Sequence, residues 1–166
     1  MILAVTHPEL VDSLVVVDIA PKPSTPSYKD IFRALSSLDL KSFSFRKDID
    51  AELAKKIPNV VTRQFLMKNL KRDELGAFEW KMNLNTIYGN YVGMDRGLNP
   101  EKTFDKPTMF IRGGNSSYIL EEDRAMIRQI FPNSSIVTIP NAGHWVHADK
   151  PDELYESVVG FLGGRR

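Results

Sequence analysis

The chain reads as an α/β protein, with parallel strands towards its two ends, helices flanking them, and a helical insert between. Three observations carry that reading. Three short apolar runs, Leu14–Val17, residues 108–112 and residues 135–139, are bounded by proline, glycine or polar residues and read as buried strands. Helical periodicity separates the second run from the third and follows the third. Residues 27 to about 94 are mostly helical in pattern and divide the first strand from the other two. Strands alternating with helices imply a parallel sheet with right-handed crossovers.

Residues 1–6 read as the tail of a helix, ended by His7-Pro8-Glu9-Leu10. His7 beside Pro8 is a surface turn residue rather than a catalytic one. The continuous apolar run Leu14–Val17 reads as a fully buried parallel strand. Pro21, Pro23 and Pro26 then break regular structure. Ser27 is placed to cap an amphipathic segment over residues 28–35. Further helices are expected over residues 48–57, 60–70 and 83–91. Residues 78–82 alternate large apolar and charged side chains, the pattern of a short strand. Lys106-Pro107 introduces the second core strand, and Gly113-Gly114-Asn115-Ser116 turns the chain at its end. Residues 121–131 form a charged amphipathic helix with Ala125, Ile127 and Ile130 as its inner face. Pro140 stops the third strand, and Gly143 permits a tight turn with unusual backbone angles. Residues 151–162 form a last helix with Leu154, Val158, Phe161 and Leu162 on one face, ended by Gly163-Gly164. The organisation is then residues 1–23 and 96–166 for the sheet and residues 24–95 for the insert.

Composition narrows the function. A chain of 166 residues fits one domain by size. With 42% apolar and 26% charged residues it has the make-up of a globular protein. A net charge of +1 gives no strong field for nucleic acid or an anionic membrane. There are no cysteines, which excludes a disulfide framework, a thiolate nucleophile and a cysteine metal site. Only His7, His144 and His147 carry imidazole, so a histidine-rich metal site is not expected; no metal and no cofactor are assigned. No apolar run reaches the roughly 18 residues of a membrane-spanning helix.

The third strand leads into Asn141-Ala142-Gly143-His144-Trp145, and His144 thereby sits on a loop between a buried strand and a packing helix. A rigid scaffold presents a reactive group from such a loop, and an imidazole takes and returns a proton near neutral pH. The block "PNAGHWVHADKPDEL", with "FIRGGNSSYI" upstream, resembles the histidine loop and preceding turn of the α/β-hydrolase superfamily. The likeness is to a branch that includes a mitochondrial member and small bacterial esterases cleaving short acyl esters and acyl-CoA thioesters. It runs from Met1 to about Leu162. It implies a partial α/β-hydrolase fold, the C-terminal part, with residues 24–95 as a helical cap over the site. It also implies a small acyl ester or thioester as substrate and a mitochondrial location, with a cytoplasmic one as the alternative. Within that cap Trp80, Met82 and Phe65, together with Trp145 of the histidine loop, are candidates to line an apolar acyl pocket. Side chains of these kinds are more often plain core.

Acyl transfer of this kind needs a nucleophile, a base, an acid that orients the base, and oxyanion donors. His144 is the candidate base. Most of the superfamily carries the acid in the turn after the penultimate strand, but Gly113-Gly114-Asn115-Ser116-Ser117 has no carboxylate. Asp18 ends the first strand in "VVVDIAP", where the bacterial esterases of this branch carry their acid, and is the candidate. Asn85 in "MNLNT" stands where relatives can carry an aspartate, and an amide cannot supply the charge. His147 has no assigned task and is expected to support the loop, by a local hydrogen bond or by packing beside Trp145. The nucleophile belongs in Gly-x-Ser-x-Gly, and the chain contains no such pentapeptide. Ser13, Ser116 and Ser117 lack that setting. The expected order of serine, acid and histidine places the nucleophile before Met1, so this chain alone is expected to be inactive. A non-catalytic product that associates through an exposed sheet edge is the alternative.

Overall fold

A computed structural model of the protein describes residues 1–23, 28–94 and 97–164. Pro26 and the proposed cap Ser27 lie outside these residues. Along the chain the elements are α1 (Ile2–Thr6), β1 (Leu14–Val17), α2 (Lys29–Ser36), α3 (Arg46–Ala54), α4 (Val60–Met67), β2 (Leu70–Arg72), β3 (Phe78–Trp80), α5 (Leu84–Met94), β4 (Thr108–Gly113), α6 (Asp123–Ile130), β5 (Ser134–Ile139), α7 (Val146–Asp149) and α8 (Pro151–Gly163). They form two compact units. One joins Met1–Ser24 to Arg96–Arg166, and the other is Thr25–Asp95.

In the first unit β1, β4 and β5 form a parallel sheet in the order β1-β4-β5. Val16 lies opposite Phe110, and Phe110 opposite Ile136. Central β4 is buried at every residue but Arg112. Its side chains alternate between two cores, as a strand covered on both faces requires. Phe110 packs on one side with Val16, Ile127, Ile130 and Phe131. Met109 and Ile111 pack on the other with Ile139 and Val146, backed by Leu154, Val158 and Phe161 of α8. Burying one such side chain contributes about 1.5–3 kcal/mol.

The flanking strands correct the expectation of full burial. In β1 only Val16 is buried and Val17 is 38% exposed, and in β5 only Ile139 is buried. Each pairs with β4 alone among the described residues, so each has an outer edge that no strand covers. Two helical faces are also narrower than the periodicity implied. Ala125 of α6 is exposed, and the inner face there is Asp123, Ile127 and Ile130. Leu162 of α8 is 49% exposed.

The second unit packs its helices around Leu35, Ile49, Leu53, Met67 and Phe78. Arg63 is buried among them and hydrogen-bonded through Nε and Nη1. It donates to Asp50 at 3.1 Å and to the carbonyls of Ile57 and Pro58 at 2.9 Å each, which ties α3 to the start of α4. Asn59 caps α4 by accepting the Thr62 N–H at 2.9 Å. α4 stops at Met67, so Leu70, expected at the end of that helix, instead opens β2. β2 pairs antiparallel with β3 around a turn that needs Gly76 at φ +81°. β3 falls within the alternating stretch 78–82 expected as a strand, whereas the three residues of β2 lie in a stretch expected as helix and are too few for a period of two to show.

Candidate active site

The site is assembled at the carboxyl ends of β1, β4 and β5, where ligands bind in open parallel sheets. Asp18 follows β1, and its N–H continues the ladder to the Ile111 carbonyl at 2.7 Å. Its φ is +49°, a left-handed conformation that few residues other than glycine adopt and that aspartate tolerates. The side chain is wholly buried. Its Oδ1 accepts the Gly113 N–H at 2.9 Å, and its Oδ2 accepts the Ser116 hydroxyl at 2.5 Å. The same Oδ2 lies 2.9 Å from Nδ1 of His144. Three donors on two oxygens are what a buried carboxylate needs, since an unmatched one is costly.

His144 is brought there by the turn after β5. Asn141 takes φ +62°, so the left-handed residue of this turn is Asn141, whereas Gly143 keeps ordinary angles. The Gly143 N–H is held by the Asp149 carboxylate at 2.8 Å. The loop then passes very close to the end of β4. A Cβ on Gly113 would collide with the carbonyl oxygens of Ala142 and Gly143. Glycine at 113 therefore permits the approach that sets Asp18 against His144. The imidazole is 41% exposed. With a carboxylate facing Nδ1, the proton belongs on Nδ1, and Nε2 on the far edge of the ring is left as the base. The Tyr118 ring stacks on the imidazole, with centroids 3.7 Å apart and planes 12° apart.

Asp18 and His144 thus meet, and two further residues join them. Ser116 was set aside in the sequence as a serine outside the nucleophile motif, and here its hydroxyl binds the acid. The only sequence signal was its place in the Gly113–Ser117 turn, where most of the superfamily carries a carboxylate. Tyr118 follows in the same turn, and its N–H donates to Ser116 Oγ at 3.2 Å. His147 is exposed on α7, and among the described residues its side chain makes no hydrogen bond. Asp149 supports the loop through the Gly143 N–H.

Trp145 is half-buried at the start of α7. Trp80, Met82 and Phe65 belong to the other unit. Trp80 and Met82, both half-buried, share a cleft of about 460 Å³ with Leu38, Phe78 and Leu84. Asn85 stands at its rim. Phe65 of α4 is 50% exposed and is not part of that cleft. Among the described residues no cluster of three or more histidines, cysteines or carboxylates is placed to hold a metal. No helix among them is long and apolar enough to cross a membrane.

A parallel sheet presenting a carboxylate after one strand and its histidine partner after the last is the arrangement of an α/β-hydrolase. In sequence and fold this chain is similar to α/β-hydrolases over the part that it spans. It is 36% identical to the sn-1-specific diacylglycerol lipase ABHD11 of Mus musculus, over 98% of this chain and 54% of that protein. It is 29% identical to the esterase YbfF of Escherichia coli, over 98% of this chain and 62% of the relative. Among solved structures, a marine microorganism esterase aligns with a TM-score of 0.90 at 36% identity, over 96% of this chain and 64% of that one. The chain spans about half the length of the curated relatives it matches. No protein-family model matches it.

Proposed function

We propose that this chain carries the base and the acid of a serine hydrolase acting on small acyl esters or thioesters. The nucleophilic serine and its oxyanion donors lie, in this reading, on a segment outside these 166 residues. The observation that carries it is the contact of buried Asp18 with His144 Nδ1 at 2.9 Å. His144 Nε2 takes the proton of the serine hydroxyl as that oxygen attacks the acyl carbon. It then returns the proton to the leaving alcohol or thiol. A water, deprotonated by the same nitrogen, attacks the acyl carbon; the bond to the serine oxygen breaks, that oxygen takes the proton back from the imidazolium, and the acid leaves. Asp18 stabilises the imidazolium formed in each half, and Ser116 with the Gly113 N–H holds Asp18 in place.

The unit Thr25–Asp95 is proposed as the cap, with Trp80, Met82 and Phe65, and Trp145 from the histidine loop, contacting the acyl part. A mitochondrial location follows from resemblance alone. Loss of the nucleophile costs about 10⁶ in turnover, so the 166 residues by themselves are expected to be inactive. The test uses a longer form that supplies the serine. A fluorophosphonate probe should label that form and leave this chain unlabelled. His144→Ala should lower p-nitrophenyl butyrate hydrolysis by several orders of magnitude. Hydrolysis at the parent rate, or labelling of Ser13, Ser116 or Ser117, overturns the assignment.

One observation favours a second reading, in which the chain acts by association. Val17 and Ile19 are 38% and 39% exposed beside the outer edge of β1. Light scattering after size exclusion tests it. A cooperatively unfolding monomer counts against this reading.

A further inference from the structure

We infer that Tyr118 is a positioning residue for His144, and that its ring favours the imidazolium over the neutral imidazole. The inference rests on the reading of His144 as base. Two contacts of one residue carry it. The Tyr118 ring lies nearly parallel to the His144 imidazole at 3.7 Å between centroids, and the His144 side chain remains 41% exposed. Its backbone N–H holds Ser116 Oγ at 3.2 Å, and Ser116 in turn donates to the oxygen of Asp18 that faces His144. Tyr118 therefore borders both ends of the Ser116–Asp18–His144 chain.

The two restraints on the imidazole are complementary. A hydrogen bond at Nδ1 fixes the direction of one edge and leaves the ring free to roll about that bond. A second ring laid flat against it removes the roll and keeps Nε2 in one plane. The stacking distance adds a preference between charge states. Aromatic pairs ordinarily settle at centroid separations of about 4.5–7 Å, offset or edge to face, because two negative faces repel. A close parallel contact suits a cation over an electron-rich ring. The imidazolium is that cation. It exists transiently after proton abstraction, when its stabilisation lowers the barrier.

The test reads the imidazole directly in this chain, without turnover, so it can fail while the esterase reading stands, and the reverse. Diethyl pyrocarbonate acylates neutral imidazole, and peptide mass spectrometry separates His144 from His7 and His147. In Tyr118→Leu the pH midpoint of His144 acylation should fall by about half a unit, roughly threefold in reactivity on the acid side. Tyr118→Phe should keep the parent midpoint, since ring and N–H remain. His7 and His147 should be unchanged in both. Removing the ring also uncovers one face of His144, and that raises the plateau rate without moving the midpoint. A plateau change alone, or an equal fall in Tyr118→Phe, overturns the inference. A second measurement needs no variant. The Tyr118 ring protons of the parent should follow the His144 titration by NMR, and ring signals indifferent to it overturn the stack.

Discussion

Asp18 and Asp123 are two carboxylates buried in the same sheet unit, at 0% and 5% exposed, and each has a hydrogen-bonded cationic side chain or its equivalent beside it. At the start of α6 the Oδ2 of Asp123 accepts the Leu120 N–H and the Lys22 ammonium, both at 2.7 Å. At the end of β1 the Oδ2 of Asp18 meets a serine hydroxyl and an imidazole. Lysine is charged throughout the physiological range, whereas histidine changes charge within it. Asp123 is therefore a clamp, binding the segment after β1 to α6 under all ordinary conditions. Asp18 is paired instead with an imidazole, and its backbone at φ +49° holds the carboxylate against Nδ1 of His144. Burial alone does not mark a candidate catalytic acid. The marks are a titratable partner, an accessible far edge on that partner, and a strained backbone held by its surroundings.

The largest expected effect breaks the pair at Asp18. Asparagine tolerates the left-handed backbone, so Asp18→Asn should fold. Its amide can accept from one side only, and the face turned to His144 would no longer carry a charge. In a longer form supplying the serine, kcat should fall by about 10³–10⁴, the scale of losing the acid of a triad, with Tm little changed. Turnover within tenfold of the parent would remove Asp18 from the mechanism.

Asp123→Ala should show the opposite pattern. It strips the Leu120 N–H and Lys22 of their acceptor. Breaking a buried charged hydrogen bond costs about 2 kcal/mol. The value should not go higher, because Lys22 is 30% exposed and can turn to water. Urea unfolding reads this as a lower midpoint. Activity per folded molecule should be kept, and a kinetic loss like that of Asp18→Asn would erase the distinction between the two carboxylates.

Placement of the site was legible in the sequence where a local signal existed. Apolar runs stopped by Asp18, by Gly113 and by Pro140 mark strand ends, and in a parallel sheet those ends converge. The family resemblance then singled out Asp18 as the partner of His144, 126 positions away. The part played by Ser116 was not legible. A serine in a Gly-Gly-Asn-Ser-Ser turn looks like any turn residue, and its partner lies on a different strand. Gly143 was read as the residue with unusual angles because glycine most often takes them, and Asn141 takes them here. Ala125 and Leu162 fit a helical period without facing the core, since periodicity identifies a stripe and not its width.

Ser116→Ala sharpens the comparison from the other side, by a smaller amount. It removes one of three donors from Asp18 and leaves the Gly113 N–H and His144 in place. A hydrogen bond to a charged group contributes about 1.5–3 kcal/mol, less where the backbone holds the acceptor independently. Expected is a fall in kcat of about tenfold with KM unchanged, because Ser116 touches the acid and not the acyl group. A loss equal to that of Asp18→Asn would mean that Ser116 itself handles a reacting atom.

The smallest effect belongs to His147, and it tests whether the right imidazole has been chosen. His147 is three residues from His144 and stands exposed on α7. Proximity makes it the natural rival. Its surroundings do not. No carboxylate faces its ring among the described residues, and one base suffices for both halves of an acyl transfer. His147→Gln keeps a polar side chain of similar size on a four-residue helix whose position depends on buried Val146 and on Asp149. In a longer form supplying the serine, kcat/KM should change by less than about tenfold, roughly 1.4 kcal/mol in the barrier. Stability should stay within about 0.5 kcal/mol, as for a surface substitution. A loss of several orders of magnitude at unchanged Tm would move the base from His144 to His147. It would also leave the Asp18–His144 contact as a second clamp of the Asp123 kind.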